Sequence, residues 1–490
     1  MMDFVGKKVL IMGLGLYQKG SGVSAAKFFI SAGARVVITD LKSKKELLGQ
    51  MKGVLKFYKC RMQNAECRIY KPVFILGRHR EGDFRSADIV MKNPAVRANS
   101  PYLEIAKKAG AKIETDISLF FKLCNAPIIG ITGTRGKSTT TTLVYEILKN
   151  AGWDAYLGGN IQISPLSFVN KVETQNFASL QKFIVVLELS SWMLESTGEN
   201  HLSPQYALIT NMMPDHLNTY ASMNDYISAK ENIFRFQKKG GLAVFNRDNE
   251  ITFRMGERAH ACLPDGQAHR FWFSNRYFNS GDGCFIKNGK ICFRFKGAEK
   301  NICAISDIKL QGAHNLQNVL AAACLTSAIG IAPAIIKRVI KKFRGIPNRL
   351  ELIRKYRGIK FYNDTTATTP DAVIAALRAL NRPGKIILIA GGSDKNLDFK
   401  EMAHEIRRQV KNLILFGGKA TDKLTLELDK IHYHPEHAAV NNMKSAVSLA
   451  VSLARRGDII LLSPGATSFG LFQNEFDRGR QFVKIVRKLR

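Results

Sequence analysis

The residues with the clearest capacity for chemistry lie in a glycine-rich turn, Gly130–Ser138, which reads GITGTRGKS. The turn follows the apolar run IIGIT and precedes TTTTLVYEILKNAG, so we predict a strand, a turn and a helix. Backbone N–H groups in such a turn can bind phosphate oxygens. Lys137 would then contact the β- and γ-phosphates, and the Ser138 hydroxyl would coordinate Mg²⁺. The alternative is a Gly-Thr turn that only caps a helix, but a Gly-Lys-Ser between strand and helix favours the phosphate site.

Lys230 is informative because it lies on the apolar face of a predicted helix, 224–236. Tyr226, Ile233 and Phe234 share that face at helical spacing. A buried ammonium group is costly, so a lysine there either has a lowered pKa or has a partner. The alternative is that the long side chain reaches solvent past its apolar neighbours.

Further polar residues follow predicted strands or begin a predicted helix. Glu188 ends the run FIVVLE, and a carboxylate at the carboxyl end of a parallel strand faces the crevice where ligands bind. A solvated acid at the end of a strand is the alternative. His216 follows another strand, where a single histidine is more often structural. Asn315 and Asn318 share one face of a predicted helix, and a helix cap with an exposed amide would also explain them.

The composition describes the kind of protein that carries these residues. The chain has 490 residues, of which 46% are hydrophobic and 23% charged, as in ordinary globular proteins. This composition excludes a disordered chain, a collagen and a small disulfide-stapled protein. Lys and Arg number 73 against 40 Asp and Glu, a formal charge of +33, which suggests polyanionic partners such as nucleic acid, an anionic membrane surface or phosphorylated substrates. The excess is spread along the chain, so it could also be a general trait of the host's proteins.

Three α/β units are predicted, at 1–124, 125–345 and 346–490. The first opens with a strand at Lys8–Leu16, a glycine turn, a helix at 23–32 and a second strand that ends at Asp40. This order is typical of a nucleotide-binding half-fold, although Gln18 stands where a GxGxxG motif needs glycine. The third unit contains the strands GKIILIAGG, NLILFGG and DIILLSPG between helical stretches. We therefore predict Rossmann-like first and third domains around a central P-loop domain with a mostly parallel sheet.

Cysteine usage and hydropathy indicate the compartment. None of the eight cysteines forms a CxxC pair or has zinc-ribbon spacing, so free thiols in a reducing compartment are expected. The N-terminus shows no signal peptide, and no apolar stretch is long enough to span a membrane. A cytoplasmic protein without a membrane span is expected.

The motifs together resemble those of the Mur ligase family along nearly the whole chain. The turn TGTRGKS matches the family's phosphate loop, with Arg135 where the family usually has Asn. Other matches are ELSS, N-x-x-x-D-H-L, the A-K segment of Lys230, GxHNxxN, and a C-terminal segment that runs from Leu462 to Gly479. The last of these, with the GGSDK loop, is most similar to the D-glutamate-adding branch.

The resemblance implies specific ligands for the polar residues. It implies that ATP contacts Gly133, Thr134, Arg135, Gly136, Lys137, Ser138, Thr139, Asn315, Asn318, Arg349 and Asp364. It implies that Mg²⁺ is bound by Ser138, Glu188, His216 and Lys230. The lysine would bind the ion as a carbamate formed with CO₂. The residues implied to be catalytic are Lys137, Glu188, His216 and Lys230. Because histidine is a second-best ligand for Mg²⁺, Mn²⁺ could substitute.

The same resemblance assigns the substrates. Gly15, Leu16, Asp40, Asn160 and His216 are expected to contact UDP-N-acetylmuramoyl-L-alanine, and Thr368, Lys395, Ser468, Phe469 and Phe476 to contact D-glutamate. This chain departs from the family at Thr366, where the D-glutamate-adding members usually have lysine, and at Asn93–Ala95, which replaces a Ser-Pro-Gly. The turn after Gly15 is also longer than in the family.

The activity implied is ATP-dependent amide formation through an acyl phosphate, in a monomer whose third unit closes over the second. One alternative is a related ligase that adds a different amino acid, which Thr366 keeps open; a folate-directed relative fits less well with a UDP-binding first unit. The other alternative is a basic P-loop protein that binds nucleic acid. That alternative requires a clustered basic face interleaved with aromatic residues, which the sequence does not show, so no nucleic-acid partner is expected.

Overall fold

The computed structural model describes residues 3–63, 69–94, 96, 99–161, 163–169, 182–215, 220–262, 268–310, 312–394, 397–433, 437–468 and 471–489. The chain forms two compact units, one of residues 1–308 with 314–342 and the other of residues 309–313 with 343–490. The first unit contains two sheets and the second contains one. Each sheet lies in one of the three predicted α/β units, whose exact boundaries remain a prediction.

The first sheet is a five-stranded parallel sheet of the Rossmann type, in the order β3-β2-β1-β4-β5. Its strands are β1 (Lys8–Met12), β2 (Arg35–Asp40), β3 (Val73–Leu76), β4 (Ile89–Lys92) and β5 (Lys112–Glu114). Its helices are α1 (Ser21–Ser31), α2 (Leu48–Gln63), α3 (Glu81–Arg85), α4 (Pro101–Lys108) and α5 (Asp116–Leu123). The first strand ends four residues before the predicted Leu16, because Gly13 and Gly15 have φ of +94° and +75°, which no strand accommodates.

The second sheet has nine strands in the order β14-β13-β12-β11-β10-β9-β6-β8-β7. The parallel part consists of β6 (Ile128–Thr132), β7 (Asp154–Gly159), β8 (Phe183–Glu188), β9 (Tyr206–Ile209), β10 (Gly241–Asn246), β11 (Ala268–Phe273) and β12 (Gly283–Lys287). The strands β13 (Lys290–Phe295) and β14 (Ala298–Ala304) extend it with antiparallel pairings. The helices are α6 (Lys137–Asn150), α7 (Ser191–Glu199), α8 (Met223–Arg235), α9 (Glu250–Cys262), α10 (Ala313–Ala328) and α11 (Pro333–Lys342). The strands β6 and β8 are completely buried, as their uninterrupted apolar sequences predict.

The third sheet, in the second unit, has six strands in the order β15-β16-β20-β17-β18-β19. Its strands are β15 (Glu351–Tyr356), β16 (Ile359–Asn363), β17 (Ile386–Gly391), β18 (Val410–Phe416), β19 (His437–Val440) and β20 (Ile459–Leu462). All pairings are parallel except that of β15, the edge strand, with β16. The helices are α12 (Pro370–Leu380), α13 (Lys400–Gln409), α14 (Lys419–Lys430), α15 (Met443–Leu453) and α16 (Glu475–Lys488). Two apolar clusters cover the two faces of this sheet.

The expectations about membrane spans and cysteine thiols can be compared with the fold. No helix in the part of the chain that the structure describes is long and apolar enough to cross a membrane. Six cysteines within that part have free thiols: Cys60, Cys124, Cys284, Cys292, Cys303 and Cys324.

Candidate active site

The phosphate loop connects the buried strand β6 to the N-terminus of α6, as predicted. Gly133 and Gly136 have φ of +142° and +83°, and a Cβ atom on either would collide with a neighbouring side chain, so glycine is required at both positions. The loop is fixed from outside by Asn211, whose carbonyl accepts a bond from Thr134 N (2.8 Å) and whose Oδ1 accepts one from Arg135 N (2.9 Å). The N–H-rich start of α6 therefore lies where a phosphate group can approach it.

The side chains of the loop are arranged around this start. Lys137 Nζ donates to the carbonyls of Gly133 and Thr134, both at 2.9 Å. The Arg135 side chain is exposed and Ser138 is half-buried, whereas Thr139 is buried within the first turn of α6. The structure thus places the predicted loop residues together at the carboxyl end of β6, with Arg135 exposed to solvent.

Asn315 and Asn318 lie beside this loop in the first turns of α10. Asn318 Nδ2 donates to Asn315 Oδ1 at 3.1 Å, which confirms that the two amides share a face of the helix. Asn318 Oδ1 accepts a bond from the Thr140 hydroxyl at 3.4 Å and also lies against Gly136. Asn318, which is about 180 positions from the loop in sequence, is therefore in direct contact with it, and Asn315 lies beside Asn318.

Lys230 is buried at the base of the same loop, with 2% of its surface exposed. Its Nζ donates to Thr132 Oγ1 (3.2 Å) and to the Gly133 carbonyl (3.1 Å), and it lies 4.9 Å from the centre of the Tyr226 ring. Burial lowers the pKa of Lys230 well below its usual value, and the charge of Lys137 lowers it further, against the opposing charges of Asp215 and Glu188. The alternative in which the side chain reaches solvent is therefore wrong.

Glu188, at the carboxyl end of β8, is oriented by Asn160 in the loop after β7. Asn160 Nδ2 donates to Glu188 Oε1 at 2.9 Å, and the backbone N–H of Asn160 donates to the Glu188 carbonyl at 2.9 Å. The other carboxylate oxygen, Oε2, is buried and has no hydrogen-bond partner among the described residues. An orphaned, buried carboxylate oxygen fits a ligand for a hard cation such as Mg²⁺. His216 lies outside the described residues, and those residues contain no group of three or more His, Cys, Asp or Glu that could hold a metal.

The turn after β1 carries the residues expected to contact the nucleotide of the substrate. Both carboxylate oxygens of Asp40 accept backbone bonds at 2.9 Å, Oδ2 from Leu14 N and Oδ1 from Lys42 N. Asp40 thus shapes the turn that contains Gly15. Leu16 is partly exposed, and its carbonyl accepts a bond from the Gln50 side chain of α2 at 2.6 Å. The longer turn is accommodated by packing against α2, and the contacts of these residues with UDP remain a prediction.

In the second unit, Arg349 and Asp364 lie close together at the start of the third sheet. Asp364 Oδ1 accepts a bond from Leu350 N (2.9 Å), and its Oδ2 accepts one from the Ser463 hydroxyl (2.7 Å). The hydroxyl of Thr366 donates to the Asn348 carbonyl at 2.9 Å. Thr366, which replaces the family's lysine, therefore helps to hold the turn that presents Arg349.

The segments expected to contact the amino acid are joined by Arg478. This arginine is completely buried, and its guanidinium donates to Thr365 Oγ1 (3.1 Å), the Thr365 carbonyl (2.9 Å) and the Ala466 carbonyl (3.3 Å). Burial lowers its pKa to about 10. It thereby connects the Thr366–Thr368 loop, the loop of Ser468 and the helix that carries Phe476. Lys395 and Phe469 lie outside the described residues.

We expect Asp364→Asn to stabilise the second unit at neutral pH. Burial raises the pKa of Asp364 to about 6, against the opposing effects of Ser463, Leu350 N–H and Arg349. Because the folded-state pKa lies above the usual value of 3.8, the native state favours the protonated form, and stability is lost as pH rises from about 4 to above 6. Two pKa units correspond to at most about 3 kcal/mol at pH 7.5.

Scanning calorimetry of the full chain from pH 4 to 8 would test this expectation. The difference in unfolding temperature between Asp364→Asn and the wild type should be small near pH 4, grow as pH rises to about 6, and then level off. Each kcal/mol corresponds to about 2–4 °C for a unit of this size. A difference that does not change with pH would show that Asp364 does not titrate in this range.

Four contributing residues were given no role in the site from the sequence. Thr132 binds Lys230 and is hidden within the strand that precedes the loop, so its type alone carried no signal. Tyr226 stands one helical turn before Lys230, and Asp215 directly precedes His216 in the N-x-x-x-D-H-L motif, so spacing could have indicated both. Arg478 lies in the recognised C-terminal segment but was not assigned a role.

Comparison with known proteins identifies the family that this site belongs to. The model of the Mur ligase middle domain matches residues 131–326, and that of the Mur ligase glutamate ligase domain matches residues 348–465. A UDP-N-acetylmuramoylalanine–D-glutamate ligase of Roseiflexus sp. (strain RS-1) is 40% identical over 99% of this chain and 99% of its own. The enzyme of the same name from Clostridium botulinum (strain 657 / Type Ba4) is 35% identical over 99% of this chain and 98% of its own.

Solved structures show the same fold. The UDP-N-acetylmuramate–alanine ligase MurC of Thermotoga maritima has a TM-score of 0.58 at 19% identity and covers 98% of this chain and 99% of its own. MurF of Acinetobacter baumannii has a TM-score of 0.58 at 16% identity, with 98% and 93% covered. With full-length sequence relatives, two matching domain models and a shared architecture, the chain belongs to the Mur ligase family.

Proposed function

We propose that this protein adds D-glutamate to UDP-N-acetylmuramoyl-L-alanine with hydrolysis of ATP to ADP and phosphate, a step in the synthesis of peptidoglycan precursors. The observation that carries the proposal is the convergence of the phosphate loop, Lys230, Glu188 and Asn318 at the carboxyl end of β6. The names of the full-length relatives at 35–40% identity support the same substrates.

The reaction has two chemical steps. The carboxylate of the L-alanyl group attacks the γ-phosphorus of ATP, the bond to the β,γ-bridging oxygen breaks, and an acyl phosphate and ADP result. The amine of D-glutamate then attacks the acyl carbon, loses a proton, and expels inorganic phosphate. The N-terminus of α6 and Lys137 would hold and neutralise the phosphates during the first step, in which alignment and charge compensation provide most of the catalysis.

Ser138 and Glu188 would hold Mg²⁺, together with His216 and the carbamate of Lys230. The bound ion would neutralise charge on the transferring phosphate. Carbamate formation needs an uncharged amine, which attacks CO₂ and releases one proton. Burial and the neighbouring Lys137 favour the uncharged amine of Lys230, so its surroundings suit the modification. Mn²⁺ is the proposed substitute for Mg²⁺.

Residues of the second unit would supply the amino-acid site. Thr368, Lys395, Ser468, Phe469 and Phe476 are proposed to surround D-glutamate, and Arg349 and Asp364 to contact ATP. Arg478 supports this proposal because it fixes three of the segments that carry these residues. The alternative of another amino acid follows from Thr366, whose hydroxyl cannot supply the positive charge of the usual lysine.

The cellular location and partners proposed for the enzyme follow from its substrates. UDP-linked precursors and ATP place the reaction in the cytoplasm, and we propose a monomer that acts on these small molecules. A nucleic-acid partner is the second candidate, favoured only by the charge of +33. Binding to DNA that weakens steeply with salt, without amide formation, would support it instead.

Phosphate release by the purified protein with ATP, Mg²⁺, bicarbonate and UDP-N-acetylmuramoyl-L-alanine tests the proposal. We expect release to require D-glutamate and to be absent with L-glutamate, which has the same charge and size. Release with another amino acid would support ligase activity but show that the amino-acid substrate is not D-glutamate. No release with any amino acid would contradict the proposed function.

A further inference from the structure

Asp116 is a buried carboxyl group that the proposed mechanism does not use. It is the first residue of α5, and only 2% of its surface is exposed. The hydroxyls of Ser21 and Ser164 face it and lower its pKa, but burial has the larger effect and raises it. The contacts are loose, because neither Asp116 Oδ1 nor Ser164 Oγ has a hydrogen bond within the described residues.

The two serines belong to different substrate-binding segments. Ser21 begins α1, directly after the turn Gly13–Gly20 that is proposed to receive the diphosphate of the nucleotide substrate. Ser164 closes the loop that starts at Asn160, the residue that orients Glu188. The two segments also meet directly, because Ser164 N donates to the Lys19 carbonyl at 2.8 Å.

A small cavity lies at this junction. It is lined by Ser21, Gly22, Lys92, Asn93 and Asp116, with the apolar residues Ile11, Ala25 and Met91 around them. Asn93 Nδ2 donates to the Gly13 carbonyl at 3.3 Å, so the cavity is bounded by the same glycine turn. It is large enough for about one water molecule, and the unpartnered Oδ1 of Asp116 is a suitable acceptor for such a water.

We propose that Asp116 is a positioning residue that holds the diphosphate turn and the Asn160 loop in one arrangement. With both segments fixed, the glycine turn would hold the nucleotide end of the substrate while its L-alanyl carboxylate lies near Glu188. A carboxyl group suits this role because its two oxygens can accept bonds from two separate segments. This inference rests on the proposed function, since it assigns the turn to the nucleotide substrate.

Three variants of the full-length enzyme test the proposal. Asp116→Asn keeps the shape but has one acceptor oxygen, and Ser164→Ala removes only the hydroxyl of the loop. Ser196→Ala is the matched control, because that buried hydroxyl lies 2.9 Å from Thr115 Oγ1, beside Asp116 in sequence, and belongs to α7. The measurements are KM for each substrate, kcat, the Kd for UDP-N-acetylmuramoyl-L-alanine by calorimetry, and the unfolding temperature.

We expect Asp116→Asn to raise KM and Kd for the nucleotide substrate about 5–10-fold, the scale of one hydrogen bond. The rise for Ser164→Ala should be smaller, because that hydroxyl faces the carboxylate without bonding to Oδ1. KM for ATP should stay within about 2-fold of the wild type, and Ser196→Ala should change neither KM. A lower unfolding temperature without the selective change in KM and Kd would overturn the proposal. So would equal changes in KM for both substrates. Because calorimetry needs no amino acid, a wild type that binds the nucleotide but does not use D-glutamate would contradict the proposed function alone.

Discussion

Replacing Lys230 with methionine is expected to lower the rate of phosphate release by about 10²–10³-fold, the scale measured when a preorganised charge-stabilising group is removed. Methionine preserves the length and burial of the side chain, so packing around α8 should be retained. The loss arises because Lys230 contacts the phosphate loop directly, at Thr132 Oγ1 and the Gly133 carbonyl. Without Nζ, no carbamate can form and the two oxygens lose a donor.

Arginine should not rescue the position, although it keeps a positive charge. Lys230 is 2% exposed, and its Nζ lies between Tyr226 and the loop, so a longer, planar guanidinium would displace one of them. Arginine also cannot lose its proton in this setting and therefore cannot react with CO₂. A lysine that acted only as a cation would tolerate arginine better than methionine, so the order of the two variants distinguishes the roles.

Dependence on CO₂ provides a second readout for Lys230. The wild type should lose activity in CO₂-depleted buffer and regain it when bicarbonate is added, whereas Lys230→Met should respond to neither. Lys238→Met, the same substitution at an exposed lysine, serves as the control and should retain wild-type activity. A Lys230→Met enzyme with more than about a tenth of wild-type activity would contradict the proposed role.

The burial of Lys230 was predictable from sequence, but its contacts were not. Tyr226, Ile233 and Phe234 share its helical face, and all are buried in α8. Periodicity indicates which side of a helix faces the core, and Lys230 lies on that side, so its burial was expected. Its partners come from β6, about 98 residues earlier, and no spacing rule within a helix connects the two segments. The alternatives for Lys230 therefore needed tertiary structure to be separated.

The parallel cores of the three sheets were also predictable, because their apolar runs alternate with helical stretches. The antiparallel extension of the second sheet was missed, although its turns carried a signal. Asn288-Gly289 and Lys296-Gly297 connect successive strands, and all four residues have positive φ. Such two-residue loops favour Asn-Gly, so the first turn could have been recognised, whereas Lys296 is an unusual residue for this conformation.

The functional roles assigned to residues of the first sheet rest mainly on the resemblance to the Mur ligase family. Asp40 ends a strand with an acid, which is the position of a ribose-binding carboxylate in dinucleotide folds. In this structure its Oδ2 accepts the Leu14 N–H of the glycine turn, and its Oδ1 accepts the Lys42 N–H just after β2. The strand pattern predicted the position of the carboxylate but could not predict that the backbone uses it, because Leu14 comes from the turn after β1, about 26 residues earlier in the chain.

Glu188→Gln is expected to produce a loss of similar size, about 10²–10³-fold in kcat, together with weaker metal binding. The variant tests the contribution of one atom, Oε2 of Glu188. A glutamine oxygen can still accept the bond from Asn160 Nδ2, now 2.9 Å from Oε1, while an amide NH₂ replaces the buried, unpartnered Oε2. An NH₂ group cannot ligate Mg²⁺ and would itself be a buried donor without a partner. The fold around β8 should change little, since the substitution is isosteric.

Binding of Mn²⁺ to the enzyme with ATP, measured by electron paramagnetic resonance, separates a metal ligand from a residue that only orders the loop. Glu188→Gln should weaken Mn²⁺ binding at least about 10-fold, the loss typical of impaired metal sites, and raised Mg²⁺ should restore part of the activity. Asn160→Ala is the matched variant, because it removes the orienting amide and leaves both carboxylate oxygens. It should weaken Mn²⁺ binding less than Glu188→Gln, since the carboxylate keeps its charge and loses only its orientation. If Asn160→Ala had the larger effect on metal binding, the orphaned oxygen of Glu188 would not be the ligand, and the carboxylate would instead serve to hold the Asn160 loop.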